Sequence, residues 1–130
     1  MKRLLAFLLA ALALSACQSP ENRVKSVAET FLHAYYTADY EAAAACCTPE
    51  FGERMMRVAE DLESVPEQTA QKIKEALVRT SFEIVSVELD EDAASAFVRY
   101  DLSVPDVEKP VPMTLKLQLE GRTALVDSIQ

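Results

Sequence analysis

The spacing of apolar residues changes once along the chain. From Val24 to Leu77 they recur every three or four positions, and from Ser81 every second one. Val24, Val27, Ala28, Phe31, Leu32 and Tyr35 fall on one face of a helix, with Arg23, Lys25, Ser26 and Glu29 on the other. Ser19-Pro20-Glu21 supplies its start: a capping hydroxyl, a proline where no N–H is needed, and an acid at the positive end of the dipole. Asp39 can cap a short Ala-rich helix from Tyr40 to Cys47. Thr48-Pro49-Glu50 repeats the start signal, and Phe51, Met55, Val58 and Leu62 mark the buried face of a third helix. Pro66-Glu67 opens a fourth, with Ala70, Ile73 and Leu77 expected inward.

The second half reads as strands. Phe82 to Leu89 is one, Asp90-Glu91-Asp92 a turn, and Ala94 to Val104 the next, with Ala96, Val98, Tyr100 and Leu102 on one side. Pro105 to Pro110 is a loop. Val111, Met113, Leu115, Leu117 and Leu119 then alternate with polar residues, and Pro112 near the start fits an edge or strand entry. Glu120-Gly121-Arg122 turns the chain into a last strand, Thr123 to Ile129. A two-residue turn puts Ala124 and Val126 on the leucine face; one extra residue puts Leu125 and Ile129 there. The second buries the larger side chains and is the expected register. Helices first and a four-stranded antiparallel meander after them make an α+β domain with the first helix covering the sheet.

Ahead of the first helix lies a segment of another kind. Lys2 and Arg3 precede an unbroken apolar run from Leu4 to Leu14, and Ser15-Ala16-Cys17 closes it. The run is far short of the roughly 20 residues that cross a bilayer as a helix, and its order is that of an export signal. Leu14-Ser15-Ala16-Cys17 resembles the lipobox of bacterial lipoproteins. The resemblance implies a signal peptide over 1–16, cleavage between Ala16 and Cys17, and acylation of the Cys17 thiol. Residues 17–19 then form a very short tether and 20–130 the domain, held against a membrane. Stable anchoring takes more than one acyl chain, and lipoproteins of this kind typically carry three. Gln18 stands where an aspartate would favour inner-membrane retention, so in a Gram-negative host the expected place is the outer membrane, facing the periplasm.

Composition narrows the partners. The chain carries formal charge −8, and removal of Lys2 and Arg3 takes it to about −10. That balance argues against nucleic acid and anionic headgroups, both of which need basic patches. After Cys17, only Cys46 and Cys47 remain, adjacent and without a third partner. They read as small, partly buried residues continuing the alanine run. One histidine and a vicinal cysteine pair lack ligand spacing, so no metal or cofactor is expected. The two glycines, Gly52 and Gly121, cannot make a phosphate cradle.

Two passages resemble the nuclear-transport-factor-2-like superfamily. Phe31-Leu32-His33-Ala34-Tyr35-Tyr36-Thr37-Ala38-Asp39-Tyr40-Glu41-Ala42-Ala43 is similar to its helix ending in a small residue and Asp before an Ala-rich helix. Glu120-Gly121-Arg122-Thr123-Ala124-Leu125-Val126 is similar to its terminal hairpin, although Thr123 stands where the family usually has a tryptophan. The resemblance implies helices packed in the concave face of a curved four-stranded antiparallel sheet, a cystatin-like cone. Its enzymes, isomerases and dehydratases among them, place Tyr, Asp or His inside that cone. The pocket-lining candidates here are Tyr35, Asp39 and Tyr100, which could polarise a carbonyl and move a proton. The competing reading makes the tyrosines core and Asp39 a helix cap, and this is the one the residue pattern favours. No catalytic set is expected. The function expected is therefore a non-enzymatic, membrane-anchored envelope lipoprotein that binds a small apolar ligand or a protein partner. A homodimer through the outer sheet face near Phe97 is one form of that partner. The alternatives are an isomerase- or dehydratase-like enzyme, or a structural subunit of an envelope complex.

Overall fold

Ser81, where the apolar period changes, is the boundary between the two halves of the fold. The computed structural model describes residues 19–130. Four helices come first: α1 Pro20–Tyr36, α2 Tyr40–Ala45, α3 Pro49–Ser64 and α4 Glu67–Val78. Four strands follow: β1 Ser81–Asp90, β2 Ser95–Ser103, β3 Val111–Glu120 and β4 Thr123–Ile129. They pair antiparallel in chain order, β1-β2-β3-β4. This is the α+β architecture that the sequence leads one to expect. The leader and Cys17 lie outside the described residues, and no described helix is long and apolar enough to cross a membrane.

Local chemistry sets the helix ends. Ser19 Oγ accepts the Asn22 N–H at 3.2 Å, and Pro20 takes the first helical position of α1. Val24, Ala28, Phe31 and Leu32 are at most 1% exposed and press α1 onto β1, β2 and β4. At the other end the Ala38 N–H donates to the Tyr35 carbonyl at 3.2 Å and the Asp39 N–H to the Ala34 carbonyl at 2.9 Å. These two bonds form a Schellman cap, with Ala38 in the left-handed position at φ 63° where glycine is usual. Asp39 Oδ1 then accepts the Ala42 N–H and starts α2, so one short turn ends one helix and begins the next.

The short helix ends at Ala45, two residues before the expected Cys47. Cys46-Cys47-Thr48 runs instead alongside β4. The Val126 N–H donates to the Cys46 carbonyl at 2.8 Å and the Thr48 N–H to the Val126 carbonyl at 2.9 Å. The outer edge of β4 is thereby occupied at its midpoint. Thr48, buried, caps α3 by accepting the Phe51 N–H, and its hydroxyl donates to Asp127 Oδ1 at 3.3 Å.

The expected register of β4 is corrected. Glu120 pairs with Thr123 across a two-residue turn, with Gly121 at φ 58°, the backbone that a tight hairpin asks of its first central residue. Ala124 and Val126 therefore share the leucine face, opposite Leu119 and Leu117, while Leu125 sits opposite Gln118. An extra residue does occur, but at Asp127: beyond this bulge Ile129 lies opposite Leu115 and rejoins the leucine face. A second bulge, at Val85, interrupts the β1–β2 ladder.

The helical faces also need correction. On α3 Phe51 and Met55 are buried, but Val58 is exposed. On α4 no residue is fully buried: Ala70 and Leu77 are half-buried and Ile73 is exposed. This helix packs lightly on α3 and meets the core margin through Leu77, so its apolar side is only partly covered.

Candidate functional site

The inner face of the sheet is filled by α1. Val98, Leu115, Leu117 and Val126 of the sheet and Phe31 and Leu32 of α1 are all fully buried. The Phe31 ring lies 5.7 Å from that of Tyr35 and 6.0 Å from that of Phe51, closing the space between α1 and α3.

Tyr100, on β2 between Ile84 and Met113, is 1% exposed. Its hydroxyl meets that of Tyr36 at 3.1 Å, and each phenol satisfies the other. Burial pushes both above the ordinary phenol range, Tyr100 further because the hydrogen bond between them raises it and lowers Tyr36. Such a pair is a poor proton shuttle near neutrality, because neither member ionises there. The partner of Tyr100 is thus Tyr36 and not Tyr35. The signal was present in the sequence, since Val24, Ala28, Leu32 and Tyr36 follow each other at four-residue spacing on one stripe.

Tyr35 is half-buried at the edge of that stripe, its ring set edge-on to Tyr36 and Tyr40 at 5.0 and 5.9 Å. Asp39 is exposed and spends its carboxylate on the α2 cap. Tyr35, Asp39 and Tyr100 thus occupy three environments: a core margin, a helix cap and a sealed interior. His33 is exposed on α1. The thiols of Cys46 and Cys47 turn back onto the Ala42 and Ala43 carbonyls at 3.6 and 3.0 Å. Burial raises both, that of Cys47 to about 12, the reverse of what an activated nucleophile needs. Among the described residues no group of three or more His, Cys, Asp or Glu side chains could hold a metal ion.

An open concavity lies elsewhere, where the start of α2 faces α3 and α4. It is a groove of about 640 Å³ lined by Asp39, Tyr40 and Glu41 at the start of α2, by Met56, Glu60 and Glu63 of α3, and by Ala70 and Lys74 of α4. The outer face of the sheet, by contrast, is largely polar: Glu88, Phe97, Lys116 and Ser128 form one row across it, and Arg99 and Thr114 stand beside them.

The prokaryotic membrane lipoprotein lipid attachment site matches residues 1–18. No curated protein matches the chain. Among solved structures, a protein of unknown function with cystatin-like fold from Methylobium petroleophilum PM1 is similar, with 17% identity and a TM-score of 0.52, over 84% of this chain and 74% of its own. An NTF2-like protein of unknown function from Cytophaga hutchinsonii aligns at 12% identity and a TM-score of 0.43, over 82% of this chain and 88% of its own. At such identities the likeness speaks of fold alone. The chain is a lipid-anchored prokaryotic lipoprotein whose described part has the cystatin-like α+β fold.

Proposed function

We propose that this lipoprotein is a non-enzymatic binding module of the cell envelope, presenting its folded domain to a protein partner. The observation that carries this reading is the filled interior. With Phe31, Leu32, Leu115 and Leu117 fully buried and the Tyr36–Tyr100 hydroxyls closed on each other, no room is left there for a small apolar ligand. What remains for recognition is the outer surface, which carries the groove beside α2.

In this reading Cys17 is the acylated anchor, the leader ends at Ala16, the tether at Ser19, and the domain runs from Pro20; the attachment-site match over residues 1–18 supports it. Gln18 supports delivery to the outer membrane in a host that has one. Co-purification of the lipoprotein from native membranes, with mass spectrometry of retained proteins and small molecules, tests the reading. A protein retained in constant ratio supports it. Retention of a small molecule and no protein would overturn it in favour of a ligand carrier. Density-gradient separation of the two membranes tests the placement.

A further inference from the structure

We infer that the groove between α2, α3 and α4 is the docking site for a basic amphipathic helix of a partner protein. The inference rests on the binding-module reading above and names the surface and the chemistry of the partner.

Three observations converge. First, α3 has two apolar stripes. One, Phe51 and Met55, enters the core. The other, Met56, Ala59 and Leu62, lines the groove with Glu60 and Glu63 beside it, and Met56 is 37% exposed. Second, α4 closes the far side without burying any residue of its own, and turns Ala70 into the same groove. An apolar floor between two helices is the shape into which a third helix lays its apolar side. Third, the rim is charged out of proportion. Asp39, Glu41, Glu60, Glu63 and Glu67 surround the floor against the single base Lys74, whereas the whole chain has 21 acids to 13 bases. Carboxylates gathered round an apolar floor repel an anionic occupant and attract one with lysines or arginines flanking its apolar stripe.

Position decides between a protein and a lipid surface. The attachment site precedes the N-terminus of α1, and Ala38 and Asp39, at the groove, follow its C-terminus. A helix of 17 residues, about 25 Å long, separates the two. The groove therefore lies at the end of α1 away from Pro20 and is acidic besides, which favours a protein over a bilayer as its occupant.

The test uses the full lipoprotein in phosphatidylcholine nanodiscs and a fluorescein-labelled synthetic peptide, acetyl-LKKLLKLLKKLLKL-amide. A scrambled peptide of the same composition without a helical apolar stripe is the comparison. Anisotropy should show saturable binding, with the scrambled peptide at least tenfold weaker. The variant E41Q/E60Q/E63Q should weaken binding at least tenfold, while E83Q/E88Q/E91Q, which removes the same charge from β1 and the following turn, should change it less than twofold. Equal loss in both variants, or equal binding of both peptides, overturns the inference as unspecific charge attraction. A native partner retained equally by wild type and E41Q/E60Q/E63Q overturns the groove assignment and leaves the binding-module reading standing. No protein retained by either overturns both.

Discussion

The hydroxyls of Tyr36 and Tyr100 meet at 3.1 Å across 64 positions of sequence, joining α1 to the middle of the sheet. The pair is asymmetric, since Tyr100 is 1% exposed and Tyr36 8%. Tyr36→Phe strands the deeper hydroxyl and should cost about 1–3 kcal/mol. Tyr100→Phe leaves the shallower one within reach of water and should cost about 1 kcal/mol or less. The double variant should cost less than the two singles added. Urea unfolding followed by circular dichroism gives all four corners of the cycle, and strict additivity would deny the pairing.

The same groups set the alkaline limit of stability. Cys47 is raised from an ordinary 9.0 to about 12, and Tyr36 and Tyr100 are raised above 10.0, by burial first. In each case the unfolded chain loses its proton first, so the folded state binds more protons as pH rises. Stability from these groups is fully present below pH 9 and falls from there upward, Cys47 contributing between about 9 and 12 and the two phenols joining it above 10. Cys47→Ala should flatten the fall over that interval in urea unfolding measured at stepped pH. An unchanged slope would mean that Cys47 ionises alike in both states.

Ala38 sits at φ 63° in the cap of α1, a conformation that costs a residue with a Cβ about 1 kcal/mol. Ala38→Gly should therefore raise stability by about 0.5–1 kcal/mol, even though it removes a methyl group. Gly121→Ala should do the opposite, by about 1–2 kcal/mol. A methyl there meets nothing within 4 Å, so the whole cost is its φ of 58°. Thermal unfolding of the two variants in parallel reads the opposite signs.

Thr48 joins the start of α3 to the bulge of β4 through its bonds to Phe51 and Asp127. Thr48→Ala removes both and should cost about 1–2 kcal/mol, whereas Thr48→Ser keeps the hydroxyl and should recover most of it. Equal costs for the two would assign the effect to the methyl group instead.

Cys17→Ala should yield a chain that keeps its leader and carries no acyl chain. Intact mass of the protein extracted from native membranes distinguishes that product from the processed, acylated wild type.

What was legible in the sequence is what depends on neighbours along the chain. Ser19, Asp39 and Thr48 declare helix starts by their own side chains, and each bonds as a cap. The leucines of β3 alternate strictly and fix which side of the strand is buried. The register of β4 was not legible, because the bulge at Asp127 answers to Thr48, 79 positions away. Side-chain size favours the longer turn, but the fold buries its apolar residues differently: the tight turn places Ala124 and Val126 inward, and the bulge returns Ile129 to them. The inward face of α4 failed for a similar reason. Periodicity shows that Ala70, Ile73 and Leu77 share a side, but not whether a second layer exists to cover it. In the candidate site the Val24, Ala28, Leu32 and Tyr36 stripe marks Tyr36 as inward, but that its hydroxyl meets Tyr100 turns on a strand 64 positions away.

The backbone of Cys46 to Thr48, bonded along the outside of Val126, has a consequence for a protein concentrated in two dimensions by its lipids. It blocks that margin of the sheet against a neighbouring molecule's strand. At the opposite margin β1 carries its bulge at Val85 between the charged Glu83 and Glu88. Molecules crowded side by side on a membrane thus meet either an occupied margin or a kinked, negatively charged one, and polymerisation through shared sheets is discouraged at both.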